Sequence, residues 1–237
     1  LYRILGSAVA ANITLVRGYH HERWREDPER RFAFCPGGGI IFDMGCYYLM
    51  GLINLLGPVK RVCGFSQIRE ANSRRYATPK NPLYGEVMPI ETPNNLAGTL
   101  EFECGALCSL LTSSESIGHN SYMLFCTDGQ MNLGDPNNFG DAPVVSTKIS
   151  SNVTMPMTHS FADNSRGLGV CDLAYALRLG REPRCSPERI YHMFEIAHGI
   201  MQSGERGRIY EMKSRCPRPE PFAAGYTEYP EMVMDEL

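Results

Sequence analysis

The chain has 237 residues, of which 43% are hydrophobic, 21% charged and 10% aromatic, the composition of one large globular domain or two small ones and not of a disordered or collagen-like chain. Lysine and arginine number 23 against 26 acidic residues, a formal charge of −3. No basic block exceeds Arg30-Arg31 or Arg74-Arg75, so a nucleic-acid partner is not expected. The longest apolar run, Ile40 to Leu56, is interrupted by Asp43 and Asn54 and falls short of the roughly 20 residues of a membrane helix, so no membrane partner is expected either.

Nine cysteines are an odd number, and no two are spaced as C-x-x-C. Thiols in a reducing cytoplasm fit this pattern better than a disulfide framework or a zinc site. Leu1 to Asn12 carries one basic residue and too short an apolar stretch for a signal peptide, so a cytoplasmic protein is expected.

In chain order, Asn12 to Glu22 reads as a strand, followed by the only tryptophan, Trp24, and a charged segment. Cys35-Pro-Gly-Gly-Gly39 is a cluster of breakers and marks a loop. A helix follows with apolar positions Met44, Tyr47, Tyr48, Leu52 and Leu55 and a stop at Gly57-Pro58. Val59 to Ile68 is β-like. Arg69 to Pro93 is polar and proline-rich and reads as a long excursion containing one short strand. Ala97 to Phe102, Ala106 to Ser114, Tyr122 to Cys126 and Met131 to Leu133 form four consecutive strands, with turns at Gly105 and Asp128-Gly129, expected to pair as one antiparallel run.

The last third is helical, with one helix from Gly167 to Gly180. A second is capped by Ser186-Pro187, carries a stripe of Ile190, Phe194, Ala197 and Met201, and ends before Gly204. Arg208 to Met212 closes as a strand. The expected fold class is therefore α+β, a mostly antiparallel open sheet with helices packed on one face. Residues 1–222 form the domain, and 223–237 an acidic C-terminal tail.

The stretch Gly37-Gly-Gly-Ile-Ile-Phe-Asp43-Met-Gly-Cys-Tyr47 is the most informative for chemistry. Asp43 and Tyr47 are four residues apart at a helix start and share a face, with Gly45 leaving the surface between them open to a ligand. A carboxylate beside a phenol can orient it for proton transfer or bind a substrate hydroxyl. The structural alternative is that Asp43 caps the helix and Tyr47 is core. His20, His21 and Trp24, beside the glycine loop, are candidates to line a polar pocket. The three glycines lack the spacing and context of a dinucleotide fingerprint, and the six histidines lack metal-ligand spacing, so no cofactor or metal is expected on this chain alone. His192 reads as a satisfied interior or interface residue and not as a ligand.

The run PGGGIIFDMGCYYLMGLINLLGPVKRVCG resembles the glycine-rich loop and catalytic helix of the Gfo/Idh/MocA oxidoreductases. TLEFECGALCSLLTSSE and FCTDGQMNLGDPNNFG are similar to that family's hairpins, and NSRGLGVCDLAYALRLGREPRCSPERIYHMFEIAHGIMQSGERG to its closing helices. The resemblance implies the C-terminal substrate and oligomerisation domain, with the fold of the C-terminal domain of glyceraldehyde-3-phosphate dehydrogenase. A Rossmann domain holding NAD or NADP in the full-length enzyme is not part of this chain.

The resemblance further implies that Asp43 and Tyr47 occupy the family's D-x-G-x-H/Y catalytic positions, as in the glucose-fructose oxidoreductase and dihydrodiol dehydrogenase branches. His21, Trp24, Gly38 and Gly39 would face substrate. The implied activity is hydride transfer to or from a sugar, polyol or related hydroxy compound, inactive without the missing domain. The implied assembly is a homodimer or homotetramer through the open sheet face, on which the mixed parity of Leu107, Leu110 and Leu111 places apolar groups. The alternative of another class is a non-catalytic sugar-binding or assembly module.

Overall fold

The computed structural model describes residues 2–17, 34–69, 74–75, 79–80, 82–116, 118–139, 141–157, 159, 161 and 165–222. A short turn of helix, α1 (Tyr2–Leu5), leads into β1 (Ala8–Val16). The strand starts four residues before the expected Asn12, because three of its first four residues are alanines, which carry little β preference of their own, and Val9 alone does not mark a strand. Its alternation is nevertheless regular, with Ala11, Ile13 and Leu15 in the core.

A single π-helical turn, Ile41–Gly45, runs into α2 (Cys46–Leu56), which buries Tyr48, Leu49, Leu52, Ile53 and Leu56. Tyr47 and Leu55, expected in that stripe, are only partly buried. Gly57, at φ 85°, ends the helix where expected.

β2 (Val59–Gln67) follows. In the proline-rich excursion β3 (Arg74–Arg75) and β4 (Val87–Met88) form a separate two-stranded ladder, where one short strand was expected. β5 (Asn95–Phe102), β6 (Leu107–Ser113), β7 (His119–Cys126) and β8 (Gly129–Asn132) match the four expected strands within two or three residues. β9 (Val144–Thr147) and β10 (Val153–Thr154) are strands that the sequence pattern did not reveal.

The main sheet has nine strands in the order β10-β9-β8-β7-β1-β6-β5-β2-β11, with the closing β11 (Tyr210–Glu211) at one edge. The four consecutive strands do not form one uninterrupted antiparallel run. β1 inserts between β6 and β7, parallel to β6 and antiparallel to β7. The long connection out of β1 makes that parallel crossover sterically possible, whereas tight turns join the β5–β6 and β7–β8 hairpins. All other pairs in the sheet are antiparallel.

Helix α3 (Leu168–Leu179) stops at left-handed Gly180, and α4 (Pro187–Arg206) starts at Ser186, whose hydroxyl accepts the Arg189 amide. α4 runs two residues past Gly204 to a left-handed cap at Gly207. Its buried face is Met193, Ile196, Ala197 and Ile200, and the expected stripe residues Ile190 and Phe194 are 37% and 40% exposed. The helix lies close on the sheet because glycines face it. A Cβ on Gly204 would come within 2.8 Å of the Gly64 carbonyl, and one on Gly98 within 3.0 Å of Ile200.

The core forms between this helix layer and one side of the sheet. On the other side the register aligns Phe65, Ala97, Leu111, Thr14 and Ser121 in one cross-strand row and Arg61, Glu101, Leu107, Ala10, Phe125 and Gln130 in another. Leu110 points into the core while Leu107 and Leu111 are 50% and 41% exposed, so the mixed parity reflects apolar groups on both faces. Among the described residues, no helix is long and apolar enough to cross a membrane.

His192 ties the helix layer to β2. Its Nε2 accepts the Val59 amide at 2.9 Å, so Nδ1 carries the proton and meets Ser214 Oγ at 2.8 Å; that hydroxyl in turn donates to Glu195. Burial pushes the His192 pKa down, with Glu195 opposing it. The unfolded chain therefore takes up the proton first. The contribution to stability is intact above the unfolded histidine value of about 6.5 and is lost as pH falls through the folded value. Urea unfolding is expected to show falling stability from pH 7.5 to 5. In His192→Gln the pH slope flattens, and stability at pH 7.5 drops by about 1–3 kcal/mol as buried partners lose their hydrogen bonds.

Candidate functional site

The glycine turn and the π turn set the geometry of the site. The Gly38 amide donates to the Cys35 carbonyl at 2.9 Å, and the Gly38 carbonyl accepts the Thr92 hydroxyl at 3.1 Å. Gly39, at φ 100°, is buried, and a Cβ there would lie 3.0 Å from the Pro93 carbonyl. Its own carbonyl accepts the Phe42 and Asp43 amides at 3.1 and 3.0 Å and so starts the helix. Both glycines thus have structural partners inside the chain.

Asp43 is exposed in the π turn and Tyr47 half-buried in the first turn of α2. Short π segments recur at functional sites because the extra residue re-aims the side chains around it. Gly45 does not leave the surface open between them, contrary to expectation: it is buried, and a Cβ there would meet Ile41 Cδ1 at 2.8 Å. Burial and the Asp43 charge push the Cys46 thiol up to about 11, which keeps it neutral. His21 and Trp24 lie outside the described residues.

Three residues that the sequence did not single out as site residues gather around Tyr47. Arg166, just ahead of α3, donates through Nη1 to Tyr47 Oη at 3.1 Å. Its Nη2 donates to the Asn137 carbonyl and Oδ1, both at 3.0 Å. Its guanidinium carbon lies 5.6 Å from the Tyr47 ring centroid and 5.8 Å from that of Phe139. Phe139 has φ 63°, a left-handed conformation that is rare for a bulky residue and costs on the order of 1–3 kcal/mol.

Beneath this layer, Asp135 accepts Arg17 Nη2 at 2.8 Å, the Tyr48 hydroxyl at 3.1 Å and the Asn137 amide at 2.9 Å. Burial pushes Tyr48 up to about 12. Tyr48 thus remains a neutral donor in the core, and Tyr47 is the phenol of this pair nearer the surface. One available signal for Arg166 was its place ahead of a helix, where a positive charge opposes the dipole and calls for another partner.

The described residues do not fit a dinucleotide. The lone parallel pair, β1 and β6, is not joined by a glycine loop and helix of the phosphate-cradling kind, and the glycine turn is committed to Thr92 and Pro93. Among the described residues no group of three or more His, Cys, Asp or Glu is placed to hold a metal. A groove of about 620 Å³ runs past Phe65, Gly98 and Gly207 at the sheet edge and includes none of Asp43, Tyr47 or Arg166.

The sequence profile of the GFO/IDH/MocA C-terminal domain matches residues 3–132, more than half of the chain. The chain belongs to the GFO/IDH/MocA family. Solved structures with the same fold include an oxidoreductase from Agrobacterium radiobacter in complex with NAD+, L-tartaric acid and magnesium (16% identity, TM-score 0.63, 88% of this chain and 58% of that one). An aldose-aldose oxidoreductase from Caulobacter crescentus complexed with glycerol gives 18% identity and a TM-score of 0.62 over 88% of this chain and 57% of that one. The WlbA dehydrogenase from Bordetella pertussis, with NADH and UDP-GlcNAcA, gives 15% identity and a TM-score of 0.58 over 88% of this chain and 55% of that one. The chain therefore spans well under two thirds of the length of each. Comparison with curated proteins yields no match.

The geometry at Gly39 generates a prediction. Gly39→Ala is expected to lower stability in urea by about 1–3 kcal/mol, because alanine is strained at this φ and its methyl meets Pro93. Unchanged stability in Gly39→Ala would overturn this structural requirement for glycine.

Proposed function

We propose that this chain is the substrate-binding and proton-handling side of an NAD(P)-dependent oxidoreductase that interconverts a hydroxyl and a carbonyl on a sugar, polyol or related hydroxy compound. The observation that carries the reading is a half-buried phenol, Tyr47, held by Arg166 one helical turn from the exposed carboxylate of Asp43, in a domain of an oxidoreductase family. The ligands named for similar structures, glycerol, L-tartaric acid and UDP-GlcNAcA, all bear hydroxyl groups. The nicotinamide belongs on a part of the complete enzyme other than the described residues, and this chain is inactive by itself. Tyr47 gives or takes the substrate hydroxyl proton, and Asp43 positions the substrate through a second hydroxyl. His21, Trp24, Gly38 and Gly39 complete the substrate side in this reading.

The test uses the complete gene product with NADH or NADPH and a panel of aldoses, polyols and their acids. Tyr47→Phe is expected to lower turnover by about a hundredfold or more while the fold persists. Turnover equal to wild type in a folded variant would return Tyr47 to a packing role.

We further propose that the cytoplasmic protein assembles as a homodimer or homotetramer through the open sheet face. Phe65 is 77% exposed there, with Leu107, Leu111 and Phe125 on the same face, and a broad face of this kind seldom remains in water. Light scattering of the chain is expected to give a multiple of 26.5 kDa, and Phe65→Glu to shift the mass toward one chain. A wild-type mass that stays at one chain at all concentrations would overturn the assembly.

A further inference from the structure

We propose that Arg166 is a positioning residue for Tyr47: it fixes the rotamer of the phenol and the direction of its O–H, and couples both to the 135–139 turn. The inference rests on the reading of Tyr47 given above and adds a residue to it.

Three observations carry it. An arginine has donors and no acceptor, so the 3.1 Å contact from Nη1 makes Tyr47 Oη the acceptor. That contact occupies a lone pair on the phenol oxygen. The phenol hydrogen is then directed away from the guanidinium, and it has no acceptor among the described residues. It is available for a substrate oxygen.

Secondly, the guanidinium is itself immobilised. Nη2 is bound to two oxygens of Asn137, and the rings of Tyr47 and Phe139 lie within 6 Å of its carbon at 5.6 and 5.8 Å, distances at which a cation is attracted to a ring face. Planar bidentate donation fixes direction as well as distance, which a lysine ammonium does not do.

Thirdly, the turn on which Arg166 rests is held at a cost. Phe139 stays at φ 63° while Asp135 fastens the turn to Arg17 and Tyr48. Backbone strain persists where surrounding contacts over-determine it, and it clusters at functional sites. A phenol held from the core in this way keeps one orientation in which it can meet substrate, and loss of such orientation raises the barrier more than it weakens binding.

Two readouts decide the proposal. In the isolated chain labelled with 13C-tyrosine, the Tyr47 ring signal is identified by its loss in Tyr47→Phe. Arg166→Met is expected to move that signal and to speed hydrogen exchange at the Asn137 amide, and Arg166→Lys to move it less. In the complete gene product Arg166→Met is expected to lower kcat about tenfold to a hundredfold with KM changed little, and Arg166→Lys to recover part of the loss. An unmoved Tyr47 signal in Arg166→Met overturns the proposal, and so does a moved signal with unchanged kcat. If Tyr47→Phe itself leaves turnover intact, the catalytic reading of Tyr47 fails, while the ring signal still judges whether Arg166 holds it.

Discussion

The ion pair between Arg17 and Asp135 is the contact on which the site depends. Its side chains are only 12% and 17% exposed, and a pair so shielded loses little to screening but would strand a charge if either partner were removed. Arg17 directly follows β1, in the middle of the sheet, and Asp135 begins the turn after β8. The same carboxylate takes the hydroxyl of Tyr48 from α2 and the amide of Asn137. Three parts of the chain far apart in sequence therefore meet at one group. The surface layer of Asn137, Arg166 and Tyr47 stands on it.

The arrangement separates two adjacent tyrosines by function. Tyr48 is fully buried, edge-on to Tyr122 with ring centroids 5.2 Å apart, and held neutral by burial. Tyr47, one residue earlier on the helix, reaches the surface and an arginine. The π turn before them places Asp43 outside and Ile41 and Met44 inside, so a small change in helical pitch divides chemistry from packing. The proposed role needs such a division, because a phenol used for proton transfer must be fixed yet still reach a ligand.

Much of this order was legible in the residues. Ser186-Pro187, Gly180 and Gly57-Pro58 gave helix limits because their conformational demands are local. The hairpins at Gly105 and Asp128-Gly129 were legible for the same reason. Strand order was not, since nothing within β1 records that it lies between β6 and β7. The face of α4 was misread because Ile190-Phe194-Ala197 and Met193-Ile196-Ala197-Ile200 are both spaced as helical stripes. The choice between them turns on Arg189, His192 and Glu195, which are buried polar residues sustained by partners distant in sequence. Arg166 was not singled out as a site residue, because the 119 residues separating it from Tyr47 hid its role.

The central place of β1 has a kinetic consequence. The β5–β6 and β7–β8 hairpins can form from neighbouring residues, but the sheet stays in two halves until the first strand enters between them, with partners such as Ala10 and Leu107 almost a hundred residues apart. Contacts of that separation are entropically expensive and slow to form. While the slot is empty, β6 and β7 each present an open edge, the state in which a sheet protein is most prone to pair with another chain. Entry of β1 closes both edges at once and brings Arg17 within reach of Asp135, so sealing the core and assembling the site depend on the same strand.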